Sequence, residues 1–172
     1  MNLEFTEKQN FRKWWHYTIA GFPVMIISAM FFLVQFDLVQ TKNNQKEPKF
    51  FLILILFMIL VFVWFLFLKL ETTINEKGII VNYRGIPFCK RNITWEDITS
   101  ISVIKYSPLS DYGGWGVRYS LSGNGWCYNV SGEYGIKLFT LNKKPFLIGT
   151  QKKEEAEKII NHYFNKLHHD LH

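Results

Sequence analysis

The chain has 172 residues, a hydrophobic fraction of 48% and a net charge of +6. That length holds one ordinary domain and a smaller segment beside it. The basic surplus is modest and scattered, with fourteen Lys/Arg against ten Asp/Glu from Lys69 onward, and no basic run interleaved with aromatics is present, so nucleic acid is excluded as a partner.

The first seventeen residues are charged and aromatic, and two uncharged runs of nineteen residues follow, Thr18 to Phe36 and Phe50 to Leu68. Nineteen helical residues rise about 28 Å, close to the roughly 30 Å hydrocarbon core of a bilayer. The second run, FFLILILFMILVFVWFLFL, is apolar on every side, which suits a bilayer better than the core of so short a chain. The expectation is a transmembrane hairpin over 18–69, with helices at about 18–36 and 50–68 joined by a polar loop, 37–49. Lys8, Arg12, Lys13, Lys69, Lys77 and Arg84 flank one end, and Lys42, Lys46 and Lys49 lie in the loop. By the positive-inside rule both termini face the cytoplasm. Cys89 and Cys127 then read as free thiols.

From Leu70 the texture changes. ETTIN, a turn at Asn75-Glu76-Lys77-Gly78 and GIIVNYR make a hairpin, and CKRNIT and ITSISVIK add two further strands. In GVRYSLS, Val117, Tyr119 and Leu121 alternate with Arg118 and serines, and Gly123-Asn124-Gly125 turns the chain into WCYNV. YGIKLFTL and PFLIGT complete a meander of about seven or eight strands. Ala156, Ile159, Ile160, Tyr163, Phe164 and Leu167 then form one helical stripe, with Thr150 placed to cap its start. The fold class is α+β, a β-barrel or sandwich of about seven strands over 70–168 closed by the C-terminal helix, with a tail at 169–172.

GGWGVR (Gly113 to Arg118), YNVSGEYGIKL (Tyr128 to Leu138) and LIGTQK (Leu147 to Lys152), taken with the order of hairpin, strands and terminal helix, resemble bacterial pleckstrin-homology-like (PH-like) membrane proteins. The resemblance implies a PH-like domain held at the cytoplasmic face of a bacterial plasma or inner membrane. It implies a fold rather than an activity. Phosphoinositide-binding members of the wider superfamily use a basic first hairpin loop, and here the matching loop, Asn75 to Gly78, has Lys77 as its only cation beside Glu76.

The glycine run at Gly113, Gly114 and Gly116 fits neither the dinucleotide nor the Walker spacing and leads into a strand, so it carries no nucleotide site. His162, His168, His169 and His172 cluster near the C-terminus without a completing carboxylate or cysteine, and no metal or other cofactor is expected. No nucleophile has a base in reach of the strand pattern, and no enzyme activity is expected. Tyr112 and Trp115 at a loop tip, with Gly113, Gly114, Gly116 and Arg118, form a surface for a partner, and Lys90 and Arg91 are a basic pair nearby. The expected function is a non-enzymatic, membrane-anchored module, integral to the bilayer, that binds a protein partner or a second copy of itself. The alternative is direct binding of anionic lipid headgroups.

Overall fold

Two open antiparallel-rich sheets and four α-helices make up the computed structural model, which describes residues 3–11, 14–36, 48–141 and 143–169. The chain divides into two units: Met1–Asn10 with Leu68–His172, and Phe11–Phe67.

In the larger unit, β1 (Phe5–Asn10), β2 (Lys69–Asn75), β3 (Gly78–Arg84) and β4 (Lys90–Thr94) pair in that order as a four-stranded antiparallel sheet. Period-two alternation sets its buried face. Phe5, Ile74 and Ile79 lie abreast, then Glu7, Thr72 and Val81, then Gln9, Leu70 and Tyr83, and all nine are buried. The second sheet contains β5 (Ile98–Lys105), β6 (Gly116–Ser120), β7 (Gly125–Asn129), β8 (Tyr134–Thr140) and β9 (Lys143–Thr150), in the order β5-β8-β9-β7-β6. The simple meander expected from the sequence gives way to this order because β7 pairs parallel with β9, while β8 pairs with both β5 and β9.

Tyr83 of the first sheet meets Tyr128 of the second edge to face, at 6.0 Å between ring centres, where the two inner faces pack. Ile136, Leu138, Phe146 and Ile148 fill the second sheet's share of that core. Helix α4 (Lys153–His169) adds Ala156, Ile159, Ile160 and Tyr163, and each fully buried aliphatic side chain contributes about 1.5–3 kcal/mol. Tyr163 stacks on Trp95, whose indole N–H reaches the Asn75 carbonyl at 2.8 Å. Glycine is obligatory at position 125. Gly125 has φ +76°, and a Cβ there would stand 1.7 Å from the Pro145 carbonyl oxygen.

The smaller unit is two helices, α1 (Trp14–Gln35, with Pro23 inside) and α2 (Pro48–Leu66). Phe11 meets Phe65 and Phe31 meets Phe51, so the helices run antiparallel. Among the described residues no helix is long and apolar enough to cross a membrane.

That finding corrects the transmembrane hairpin and, with it, the integral placement in a bacterial inner membrane with cytoplasmic termini. The PH-like β-barrel is corrected too, because the strands form two separate open sheets and do not close. Loop residues 37–47, Arg12, Lys13, the side chains of His168 and His169, and residues 170–172 lie outside the described residues.

Candidate interaction surface

The glycine-rich run begins with a short helix. Ser107 precedes Pro108, and α3 (Pro108–Tyr112) starts with that proline in its first turn, where a missing N–H costs nothing. The Ser107 hydroxyl accepts from the Ser110 N–H, and the Asp111 carboxylate accepts from the Ser107 N–H at 2.8 Å. Gly113, at φ +70°, ends the helix in the left-handed region that glycine tolerates best. The Gly113 and Gly114 amides donate to the Leu109 and Pro108 carbonyls, at 2.9 and 2.8 Å. These amides therefore sit at the negative end of α3, occupied by its own carbonyls. An anion cradle needs free amides at a positive end.

Tyr112 is buried rather than displayed. It lies in a satellite core on the outer face of the five-stranded sheet with Tyr106, Cys127 and Leu147, and Ile104 packs against them. Its ring meets Tyr106 edge to face at 5.9 Å, and its hydroxyl donates to the Asn124 carbonyl at 3.3 Å. Burial pushes the Tyr112 hydroxyl up to about 12 and raises that of Tyr106 further. The Cys127 thiol is also raised by burial, the opposite of the depressed thiol that a nucleophile needs. Cys89 and Cys127 are both free thiols.

Asn129 fastens the turn to the sheet. Its Oδ1 accepts the Gly116 N–H at 2.8 Å, its Nδ2 donates to the Tyr106 hydroxyl at 3.0 Å, and its own carbonyl accepts from the Tyr83 hydroxyl at 3.3 Å. The side chain is fully buried, and its close packing against Gly149 leaves no room for a Cβ there. Sequence reasoning missed this residue, because an Asn in a strand carries no signal until its partners are known.

Arg118 is exposed, and its Nε donates to the Trp115 carbonyl at 3.0 Å, which folds the guanidinium over Gly114 and Gly116. Its charge opposes the rise that burial imposes on the Tyr83 hydroxyl, so guanidinium and phenol are close in space. Trp115 is half-buried. Lys90 is exposed at the start of β4, and Arg91 beside it is half-buried.

Arg91 has the most built environment of the candidate residues. Its guanidinium carbon lies 4.8 Å from the Phe146 ring centre, 5.7 Å from Tyr128 and 5.9 Å from Trp126, within cation–π range of all three. Its Nε also donates to the Tyr128 hydroxyl at 3.4 Å. Trp126 and Tyr119 pack edge to face at 5.2 Å and remain 39% and 37% exposed. The structure thus brings Arg91 over Trp126, one ring of an exposed aromatic pair. Phe88, in the turn before β4, is fully exposed and holds φ +62°, a conformation bulky residues adopt only under constraint.

A second polar cluster lies at the start of α4. The buried Glu7 carboxylate accepts from the Thr150 hydroxyl at 2.6 Å and the Gln151 N–H at 2.8 Å. Burial raises its pKa, and these two hydrogen bonds oppose the rise. The Thr150 hydroxyl in turn accepts from the Lys152 N–H at 3.1 Å, just ahead of the helix. Among the described residues no group of three or more His, Cys, Asp or Glu side chains converges as a metal site. No protein family, no curated protein and no solved structure matches this chain. The PH-like resemblance therefore has no support beyond its short tokens, and it is corrected together with the barrel.

Proposed function

We propose that this chain is a non-enzymatic protein-interaction module whose docking surface is centred on Arg91, Trp126 and Tyr119. The observation that carries the reading is the Arg91 guanidinium held against three rings while two aromatic side chains of the same neighbourhood stay exposed. Arginine and large aromatics dominate binding energy at protein interfaces, most of all when they are ordered before the partner arrives. The partner this surface suits presents a carboxylate to the guanidinium and an apolar side chain to Trp126.

A photo-crosslinking residue in place of Tyr119, in the full chain expressed in cells, tests the reading. The expected result is a discrete protein adduct that Arg91→Ala removes. Absence of an adduct, or one indifferent to Arg91→Ala, contradicts it. Salt-sensitive binding to anionic vesicles without any protein adduct would transfer the surface to lipid headgroups.

A further inference from the structure

The two sheets leave four edge strands, β1, β4, β5 and β6, and they differ in how they resist pairing with another chain. Edges are protected by charges, by shortness or by being covered. β4 and β6 have five residues each; β4 begins Lys90-Arg91, and β6 has Arg118 at its centre. β1 carries Glu7 and Lys8 at its middle, with Glu7 and Gln9 committed to Thr150, Gln151 and Gly149. β5 is eight residues long, and its only charge is Lys105 at the last position.

The ladder fixes which groups of β5 point outward. The Tyr106 N–H donates to the Glu133 carbonyl at 2.8 Å, which makes Tyr106 and Glu133 a hydrogen-bonded pair. Antiparallel pairs alternate, so Ile104, Ser102 and Ser100 bond Gly135, Lys137 and Phe139, the residues opposite them. The backbone N–H and C=O groups of Ile101, Val103 and Lys105 then face away from β8. α4 packs against β5, yet among the described residues none of these six groups has a hydrogen-bond partner.

We infer that β5 is a homotypic docking edge, at which a second copy of this chain adds its own β5 antiparallel across a two-fold axis at Val103. In that register Ile101 bonds Lys105 of the other copy, Val103 bonds Val103, and Lys105 bonds Ile101, so all six outward groups are satisfied. The interface is isologous, as a closed dimer requires. Charge selects a second copy at this edge and at no other. The two Lys105 residues stand four residues apart along the ladder, about 14 Å, which exceeds the Debye length at physiological salt. Pairing β6 with itself about its centre sets Arg118 against Arg118. On β4 paired about its centre, Arg91 of one copy becomes the diagonal neighbour of Arg91 of the other, and on β1 a register that keeps the faces aligned sets Glu7 against Glu7 or Lys8 against Lys8.

Ser102 supplies the test, because it is exposed and lies on the same sheet face as its counterpart across the axis. Sedimentation of the full chain should show a concentration-dependent dimer. Ser102→Lys and Ser102→Glu alone should each weaken the dimer about two- to fivefold through like-charge repulsion between diagonal neighbours, and an equimolar mixture of the two should restore it. A monomeric wild type, a dimer unaffected by either variant, or a mixture that stays dissociated would each overturn the assignment. Far-ultraviolet circular dichroism matching the wild type separates dissociation from unfolding.

Discussion

The two faces of the five-stranded sheet are sealed by different means. The inner face meets a second sheet and a seventeen-residue helix, and Ile136, Leu138, Phe146 and Ile148 pack there without needing polar partners. The outer face is covered over Cys127 and Leu147 by a five-residue helix and two tyrosines. So small a lid buries too little apolar area to hold itself, and Asn129 fixes it in place by accepting from the Gly116 N–H and donating to the Tyr106 hydroxyl. One sheet therefore supports two levels of stability. The inner core sets global unfolding, and the outer lid forms a local unit that opens at lower free energy.

The largest expected effect breaks the inner face. Leu138→Ala should cost about 2–5 kcal/mol, read as a lower denaturant midpoint for all probes at once. Asn129→Ala comes next, at about 2–4 kcal/mol, because it strands the Gly116 N–H and the Tyr106 hydroxyl in a buried site. Its signature should be early loss of the lid's near-ultraviolet tyrosine signal, ahead of the far-ultraviolet transition. Tyr112→Phe removes only the bond to the Asn124 carbonyl, and about 0.5–1.5 kcal/mol is expected by urea titration.

Glu7 provides a pH handle outside both faces. Its folded pKa is raised by burial, so the unfolded state releases the proton first as pH increases. Its contribution to stability is present below the unfolded carboxylate value and is lost as pH rises through the folded one. Glu7→Gln should flatten the stability profile from the ordinary carboxylate range upward, and a profile unchanged by the variant would contradict the sign. Arg118→Ala should be the mildest change, within about 0.5 kcal/mol, since the guanidinium is exposed and bonds one carbonyl.

The strands from Lys69 to Thr150 are legible because alternation and turn residues mark them. Val117 and Tyr119 face Tyr128 and Trp126 across the Gly123-Asn124-Gly125 turn. The stripe of α4 is legible for the same kind of reason. β1 escaped, because its inward positions alternate Phe5, Glu7 and Gln9, and two of those three are polar. α3 was within reach, since Ser107-Pro108 with Asp111 is a helix-start signal, but a proline after a β-rich run reads first as a strand end. Tyr112 was placed on the surface for want of that helix. The aromatic setting of Arg91 was not legible at all. It joins β4 to β7 and β9, and nothing local in Lys90-Arg91 announces rings more than thirty residues away.

Amide hydrogen exchange at Gly116 tests the two-level account most directly. The wild type should show Gly116 protected, because its N–H is bonded to a fully buried Asn129, yet less protected than the Leu138 amide in the inner ladder. In Asn129→Ala, Gly116 should fall to the rate of an open turn while Leu138 stays protected. Equal protection of the two amides in the wild type, or their simultaneous loss in the variant, would contradict the separation of lid from core.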